Sequence, residues 1–177
     1  IGPTGQGKTT LLTFLAGQAM RHHDLKVFFF DRHRGAEIFT RAVQGAYVGF
    51  DGDEKNVSLN PFDCRNTPNN RAFLRRWLKA ITMVDDALSE KEIGRAVTTA
   101  FDYLKPEERI LKNLYKSCFS PTGNMRRELF RWINPDQYGN IFNAENDSLD
   151  LASKRFMAFD FTHIFEDETL APAVISY

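Results

Sequence analysis

The residues that could do chemistry stand at the very start of the chain, in a glycine-rich stretch of eight residues. They are Gly2, Pro3, Thr4, Gly5, Gln6, Gly7, Lys8 and Thr9. The stretch matches the pattern Gly-x-x-x-x-Gly-Lys-Ser/Thr of a phosphate-binding loop at every fixed position. Glycines let such a loop turn tightly, so that consecutive backbone N–H groups point at phosphate oxygens. The motif therefore predicts a site for ATP.

The polar residues at the end of the motif have separate predicted roles. Lys8 would reach the β- and γ-phosphates, the Thr9 hydroxyl would bind Mg²⁺, and Thr10 could contact the α-phosphate. The positive end of the following helix adds to the attraction. The alternative is a glycine-rich turn that merely begins a helix. That alternative explains the glycines but leaves the lysine and the threonine without a reason.

Strands and helices alternate after the motif. Leu11, Leu12, Phe14 and Leu15 follow at helical spacing and predict a helix to about Arg21. The apolar run from Lys26 to Phe30 predicts a buried strand that ends at Asp31. A short helix is expected over Gly35–Val43, and a turn or a strand tip with a turn over Gly45–Gly52. Ser58–Phe62 is expected to be extended.

The middle of the chain has only helical patterns. Helices are predicted over Asn70–Val84, from Ser89 to about Leu104, from Pro106 to about Tyr115, and over Asn124–Ile133. Ser89 and Glu92 have the spacing of a capping box. A polar hairpin or loop over Tyr138–Asp150 leads to a second buried strand, Phe156–Phe161, and to a final helix that begins near Asp167 or Thr169.

This order predicts an α/β protein with a parallel sheet and an inserted all-helical subdomain. The expected divisions are residues 1–64 for the first part of the core, 65–135 for the helical insertion, and 136–177 for the return to the core. A buried strand normally precedes a loop of this kind, so we expect one before Ile1.

Three acidic residues are weaker candidates for catalysis. Asp31 and Asp160 each end a predicted strand, where ligands of parallel sheets bind. Asp31 could touch Mg²⁺, position water or sense the γ-phosphate, and its alternative is a strand-end residue that caps a turn. The alternative for Asp160 is a polar strand end. Glu37 lies three residues after Arg34, a spacing that favours an ion pair.

A second acidic motif, a hydrophobic strand ending in Asp and often followed by Glu, is usual in P-loop hydrolases. The nearest match, Phe156–Asp160, is followed by Phe161 instead of an acid. We therefore expect the motif beyond Tyr177, and poor hydrolysis by this stretch alone.

Composition narrows the class of protein. Hydrophobic residues make up 42% and charged residues 26%, which is an ordinary globular balance. The formal net charge of zero gives no global attraction to nucleic acid, although basic helical faces leave such a partner open. These faces contain Arg71, Arg75, Arg76 and Lys79, and Arg126, Arg127 and Arg131. No apolar run approaches the roughly 18 residues of a membrane span. Two distant cysteines fit a reducing cytoplasm.

Several stretches together resemble a known family. They are the glycine loop with the residues that follow it, Phe-Asp-Arg-His-Arg-Gly-Ala-Glu-Ile-Phe at 30–39, Leu-Asn-Pro-Phe at 59–62, Phe-Asp-Phe-Thr-His at 159–163, and Leu-Ala-Pro at 170–172. In this order they resemble the large cytoplasmic ATPase of bacterial type IV secretion and conjugation systems, the TrbE/CagE/VirB family. The resemblance covers nearly the whole chain. The stretches at 31–37 and 159–163 are more selective than the glycine loop.

The resemblance implies a RecA-like P-loop core, similar to the HerA/FtsK motors, with a helical insertion. It implies a bacterial cytoplasmic ATPase at the inner membrane, commonly a hexamer, that contacts other secretion-system components. ATP hydrolysis with Mg²⁺ would drive machine assembly or transport of substrate. Two alternatives stay open from the sequence: a DNA-translocating HerA/FtsK-like motor, and a scaffold subunit that binds nucleotide without hydrolysing it.

Overall fold

The computed structural model of the chain describes residues 7–49 and 59–177, which form two compact units. The sheet unit contains residues 7–49 and 150–166 of the described chain, and the helical unit contains residues 59–149 and 167–177. The helical unit therefore interrupts the sheet unit in sequence. The chain passes from one unit to the other at residues 58, 150 and 167. The sequence pattern predicted domain boundaries at residues 65 and 136.

Three parallel strands make up the sheet of the sheet unit. They are β1 (Val27–Asp31), β2 (Ala46–Gly49) and β3 (Phe156–Asp160). Strand β3 lies between the other two, and all five of its residues are buried. The register pairs Asp31 with Asp160, so the carboxyl ends of β1 and β3 lie side by side. The α/β class with a parallel sheet, predicted from the sequence, is confirmed.

Two helices accompany the sheet. Helix α1 (Lys8–Ala19) ends two residues before the predicted Arg21, and α2 (Glu37–Ala42) packs on β2 and β3. Phe39 of α2 meets the ring of Phe156 edge-on, with centroids 5.4 Å apart. Gly17 of α1 lies against Phe39, because a Cβ at Gly17 would be 3.4 Å from that ring. Aromatic side chains therefore join α1, α2 and β3.

The expectation that β1 is buried is only half right. From Val27 to Phe30 its side chains alternate between half-buried and exposed. Phe28 and Phe30 are 44% and 67% exposed, while Asp31 is only 3% exposed. Within the described residues β1 pairs with β3 alone and is an edge of the sheet. A run of consecutive apolar residues predicts burial on both faces, but it does not show which elements cover them.

Of the two structures predicted over Gly45–Gly52, a turn or a strand tip with a turn, strand β2 agrees with the second. Residues 46–49 pair in parallel with β3, and residues 50–52 lie outside the described residues. Gly45 directly precedes this strand, and a Cβ there would be 2.7 Å from the backbone oxygen of Phe156. A side chain cannot be accommodated at that distance without moving backbone, so the close approach of the two strands requires glycine.

The helical unit contains five α-helices in its described residues. They are α3 (Pro68–Thr82), α4 (Ala87–Asp102), α5 (Leu111–Cys118), α6 (Asn124–Leu129) and α7 (Leu170–Ser176). The helix predicted from Pro106 is a short 3₁₀ turn, Pro106–Glu108, followed by α5, and a second 3₁₀ turn, Phe130–Trp132, continues α6. A third, Ile164–Glu166, belongs to the sheet unit. In the described part of the chain, every helix is too short or too polar to cross a bilayer.

Two buried tryptophans form the centre of the helical unit. The rings of Trp77 and Trp132 pack against Phe142, with centroids 5.0 Å and 5.7 Å away. Each indole N–H donates to a backbone oxygen: Trp77 Nε1 to Ala173 at 3.3 Å and Trp132 Nε1 to Ile81 at 3.0 Å. Burial without loss of hydrogen bonds is the condition under which a tryptophan stabilises a core.

The predicted capping box at Ser89 and Glu92 is wrong. Helix α4 begins earlier, at Ala87, and Asp86 is the cap, because its carboxylate accepts from the backbone N–H of Ser89 at 2.9 Å. The Ser89 side chain also donates to Asp86, and this bond is the main reason that the pKa of Asp86 is lowered. Glu92 is buried and accepts from the backbone N–H of Ser120. The N-cap of α4 is therefore Asp86, three residues before the predicted Ser89.

Candidate functional site

The glycine-rich stretch ends where α1 begins. Gly7 precedes the helix with φ 73° and ψ 15°, a left-handed conformation that favours glycine, and its oxygen accepts from Leu11 N at 2.9 Å. Lys8, Thr9 and Thr10 then form the first helical turn. The other predicted phosphate-binding residues, Gly2, Pro3, Thr4, Gly5 and Gln6, lie outside the described residues.

Thr9 lies against the turn that follows β1. A Cβ placed on Gly35 would be 3.2 Å from Thr9 Cγ2 and 3.5 Å from Thr9 Oγ1. The same Cβ would be 3.6 Å from Asp31 Oδ1, so two predicted site residues, Thr9 and Asp31, lie beside this glycine. Thr13, one turn further along α1, donates to the backbone oxygens of Thr9 and Thr10 at 3.0 Å each. The start of α1 is thus held beside the carboxyl end of β1.

The Asp31 carboxylate is buried and accepts three hydrogen bonds. The backbone N–H of Arg32 donates to Oδ1 at 2.9 Å, and the backbone N–H of Ala36 donates to Oδ2 at 2.8 Å. The phenol of Tyr47, on β2, also donates to Oδ2 at 2.9 Å. Asp31 therefore closes the loop of residues 32–36, named the Asp31 turn below, on both sides.

Asp160 supports the same turn indirectly. Its Oδ1 accepts from the backbone N–H of Thr162 at 3.0 Å and from the Thr162 hydroxyl at 2.5 Å. The backbone N–H of His33 in turn donates to Thr162 Oγ1 at 2.7 Å. His33 and Arg34 both have positive φ, 64° and 56°, which non-glycine residues rarely adopt. The strand-end carboxylates thus anchor a turn whose backbone is strained.

Glu37 forms ion pairs with two arginines. The predicted pair with Arg34 is present at 2.9 Å, and Arg41 approaches Glu37 to 2.7 Å. The hydrogen bond from Arg41 is the largest cause of the lowered pKa of Glu37. The Arg34 guanidinium also lies 6.0 Å from the ring centroid of Tyr47. These contacts fix the outer side of the Asp31 turn.

Tyr47 and Gly35 are site residues that the sequence did not single out. Burial, and then the hydrogen bond to Asp31, raises the pKa of Tyr47 well above its usual range, so the phenol stays a donor at neutral pH. Tyr47 lies in the segment predicted as a turn or a strand tip with a turn, and the pairing of β1 and β2 with β3 brings it to Asp31. Gly35 stands within the selective stretch Asp-Arg-His-Arg-Gly-Ala-Glu, the one signal that marked it.

We predict that Tyr47→Phe lowers the free energy of unfolding of the sheet unit by about 1–2 kcal/mol, because a buried carboxylate loses a donor. The raised pKa fixes the pH dependence: the difference should be present below about pH 10, the unfolded pKa of tyrosine, and should shrink above it. Chemical denaturation of both proteins measures this. Tyr103→Phe is the matched control, because Tyr103 is 79% exposed. Equal losses in the two variants would contradict the assigned role.

Two adjacent histidines and the basic face of α3 complete the survey of charged and metal-binding side chains. His22 and His23 are exposed, and no three His, Cys, Asp or Glu residues within 7–49 and 59–177 are grouped to hold a metal ion. On the basic face of α3, Arg71 pairs with Asp102, and Lys79 pairs with Asp85 and Glu90. Several of the basic side chains are therefore occupied by acidic neighbours.

Together the fold and the site define an α/β protein whose candidate groups gather at the carboxyl ends of parallel strands, where ligands of such sheets bind. No family model matches the chain. It is 32% identical to the type IV secretion system protein virB4 of Bartonella henselae, over 99% of this chain and 23% of that protein. It is 30% identical to protein virB4 of Agrobacterium fabrum over 99% of this chain, and 29% identical to protein PtlC of Bordetella pertussis over 97%. The chain spans 23% of each of these two relatives as well.

A solved structure has the same fold. The structure of VirB4 of Thermoanaerobacter pseudethanolicus superposes with a TM-score of 0.72 at 16% identity, over 99% of this chain and 53% of that one. The resemblance to type IV secretion proteins, predicted from the sequence, is confirmed by these relatives. The fold class is confirmed with it: the chain has a parallel sheet, and a helical unit interrupts the sheet unit in sequence.

Proposed function

We propose that this chain is the ATP-binding part of a motor ATPase of a bacterial type IV secretion or conjugation system. The position of Gly35 carries the proposal, because Thr9 at the start of α1 and Asp31 at the carboxyl end of β1 both lie beside this glycine. The sequence of residues 2–9 supplies the phosphate-binding pattern at that place. The type IV secretion relatives support the machine in which the site works.

The described residues fit ATP and Mg²⁺. Gly7 has the left-handed conformation that lets backbone N–H groups turn toward an anion, and the helix that follows begins with Lys8. Lys8 would hold the β- and γ-phosphates, and Thr10 would contact the α-phosphate. Mg²⁺ is usually bound by few protein groups together with phosphates and water, so the single hydroxyl of Thr9 is a suitable ligand. When bound, the metal neutralises charge on the phosphates.

We further propose that hydrolysis powers machine assembly or movement of substrate, and that the active form is a hexamer. The protein would work in the bacterial cytoplasm, at the inner membrane, with other secretion-system components. In motors of this type a neighbouring subunit supplies an arginine to the γ-phosphate. Arg32 and Arg34, both exposed on the Asp31 turn, are candidates for that group.

The test is a dilution series of the intact protein in which hydrolysis and ATP binding are measured together. Hydrolysis per chain should rise with protein concentration, because assembly completes the site. Binding per chain should change far less, because the phosphate-binding residues belong to one chain. Hydrolysis per chain that stays constant from a monomeric to an assembled sample would remove the support for a shared site.

A further inference from the structure

We infer that Asp31 is a positioning residue for Thr9: through the Asp31 turn it fixes the side chain whose hydroxyl would bind Mg²⁺. The inference rests on the proposed function and deepens it at one residue. It assigns Asp31 a role different from that of a metal ligand or a base. It also makes Gly35 the point at which the turn and the helix touch.

The hydrogen bonds of Asp31 carry the first step. Its two oxygens already accept from Arg32 N, Ala36 N and the Tyr47 hydroxyl, at 2.8–2.9 Å. The residue is only 3% exposed. These three donors occupy three of the roughly four acceptor positions of a carboxylate, two of them on Oδ2. The bonds tie the first and last residues of the turn to one buried group.

The anchoring of the turn carries the second step. His33 and Arg34 have positive φ values, and such a backbone persists only where its surroundings hold it. Asp31 holds the ends of the turn, and Thr162 holds its middle through His33 at 2.7 Å. Because the turn is held at three points, we expect Thr9, and not the turn, to move when a larger side chain is placed at Gly35.

The contact at Gly35 carries the third step. The φ of Gly35 is outside the left-handed region, so an alanine there meets no backbone penalty. The added methyl group would lie 3.2 Å from Thr9 Cγ2, a distance at which Thr9 has to move. Glycine is needed here for space alone. The side chain that needs the space is the predicted metal ligand.

The experiment uses Gly35→Ala, Thr9→Ser and the double variant in the intact protein. ATP affinity is measured with Mg²⁺ and again with the metal chelated. Gly35→Ala should weaken binding in Mg²⁺ by about tenfold, the lower end of what changes beside a metal ligand cost. Without the metal its affinity should equal that of the wild type. Thr9→Ser keeps the hydroxyl and removes the methyl group, so the double variant should bind as Thr9→Ser does.

Gly94→Ala is the matched control, because no described atom lies within 4 Å of a Cβ at Gly94, on α4. Tyr47→Phe is the second probe and should weaken Mg²⁺-dependent binding by a smaller factor, because Asp31 loses one donor. The inference is overturned if Gly35→Ala binds like the control, if its loss is equal with and without Mg²⁺, or if Thr9→Ser fails to restore binding. Wild-type protein that binds no Mg²⁺–ATP would instead refute the proposed function.

Discussion

Replacing Lys8 by alanine is expected to lower the ATPase rate of the intact protein at least about tenfold, because a positive charge on the transferring phosphate is lost. Lys8 is the first residue of α1, directly after the left-handed Gly7. Alanine has the highest helix propensity, so the variant should keep helix α1. Steady-state hydrolysis at saturating ATP measures the effect.

Lys91→Ala is the control for the loss of a lysine. Lys91 is exposed on α4, within the helical unit, and none of the predicted nucleotide-binding residues lies on that helix. Its hydrolysis rate should equal that of the wild type. Near-normal turnover by Lys8→Ala would contradict the phosphate-binding role of the loop.

Trp132→Ala should lower the free energy of unfolding of the helical unit by about 3–5 kcal/mol, as replacements of buried aromatic residues by alanine do. Trp132 is fully buried, stacks on Tyr138 with centroids 4.9 Å apart, and donates to the backbone oxygen of Ile81. Alanine would leave a cavity and an unpaired oxygen. Guanidinium denaturation followed by far-UV circular dichroism measures the loss.

Two variants show which part of that loss is packing. Trp132→Phe keeps most of the ring but loses the N–H donor, so its loss should be smaller, about 1–2 kcal/mol. Phe130→Ala should change the free energy of unfolding by less than about 0.5 kcal/mol, because Phe130 is 51% exposed in the same turn. A loss from Trp132→Ala no greater than that from Phe130→Ala would contradict the assigned core.

The spacing of apolar residues along the chain was enough to predict several helices and the central strand. The helical spacing of Phe73, Leu74, Trp77, Leu78 and Ile81 predicted α3, and the run Phe156–Phe161 predicted the central strand. The same reasoning left β2 undecided between a turn and a strand tip, because four residues of mixed character become a strand only by pairing with β3. It also put the cap of α4 at Ser89, whereas the structure has Asp86, three residues earlier, as the cap.

Spacing also predicts an apolar face without saying what covers it. Leu11, Leu12, Phe14 and Leu15 have the period of a buried helix face, but they are 52–59% exposed on α1. The candidate site shows a related limit. The sequence placed Asp31 and Asp160 at strand ends, and the structure adds the neighbours that decide what they do, Tyr47 and Thr162. Tyr47 and Asp31 are 16 residues apart and meet only in the tertiary fold, whereas Thr162 and Asp160 are 2 residues apart and meet locally.

The measurement that tests the account most directly is equilibrium binding of Mg²⁺–ATP to the intact wild-type protein and to Lys8→Ala. The account predicts saturable binding of one nucleotide per chain by the wild type and a loss of at least about tenfold in affinity in the variant. Circular dichroism should show that both proteins are equally folded. Binding of equal strength by the two proteins, or no saturable binding by the wild type, would contradict the claim that this chain holds ATP on its glycine loop.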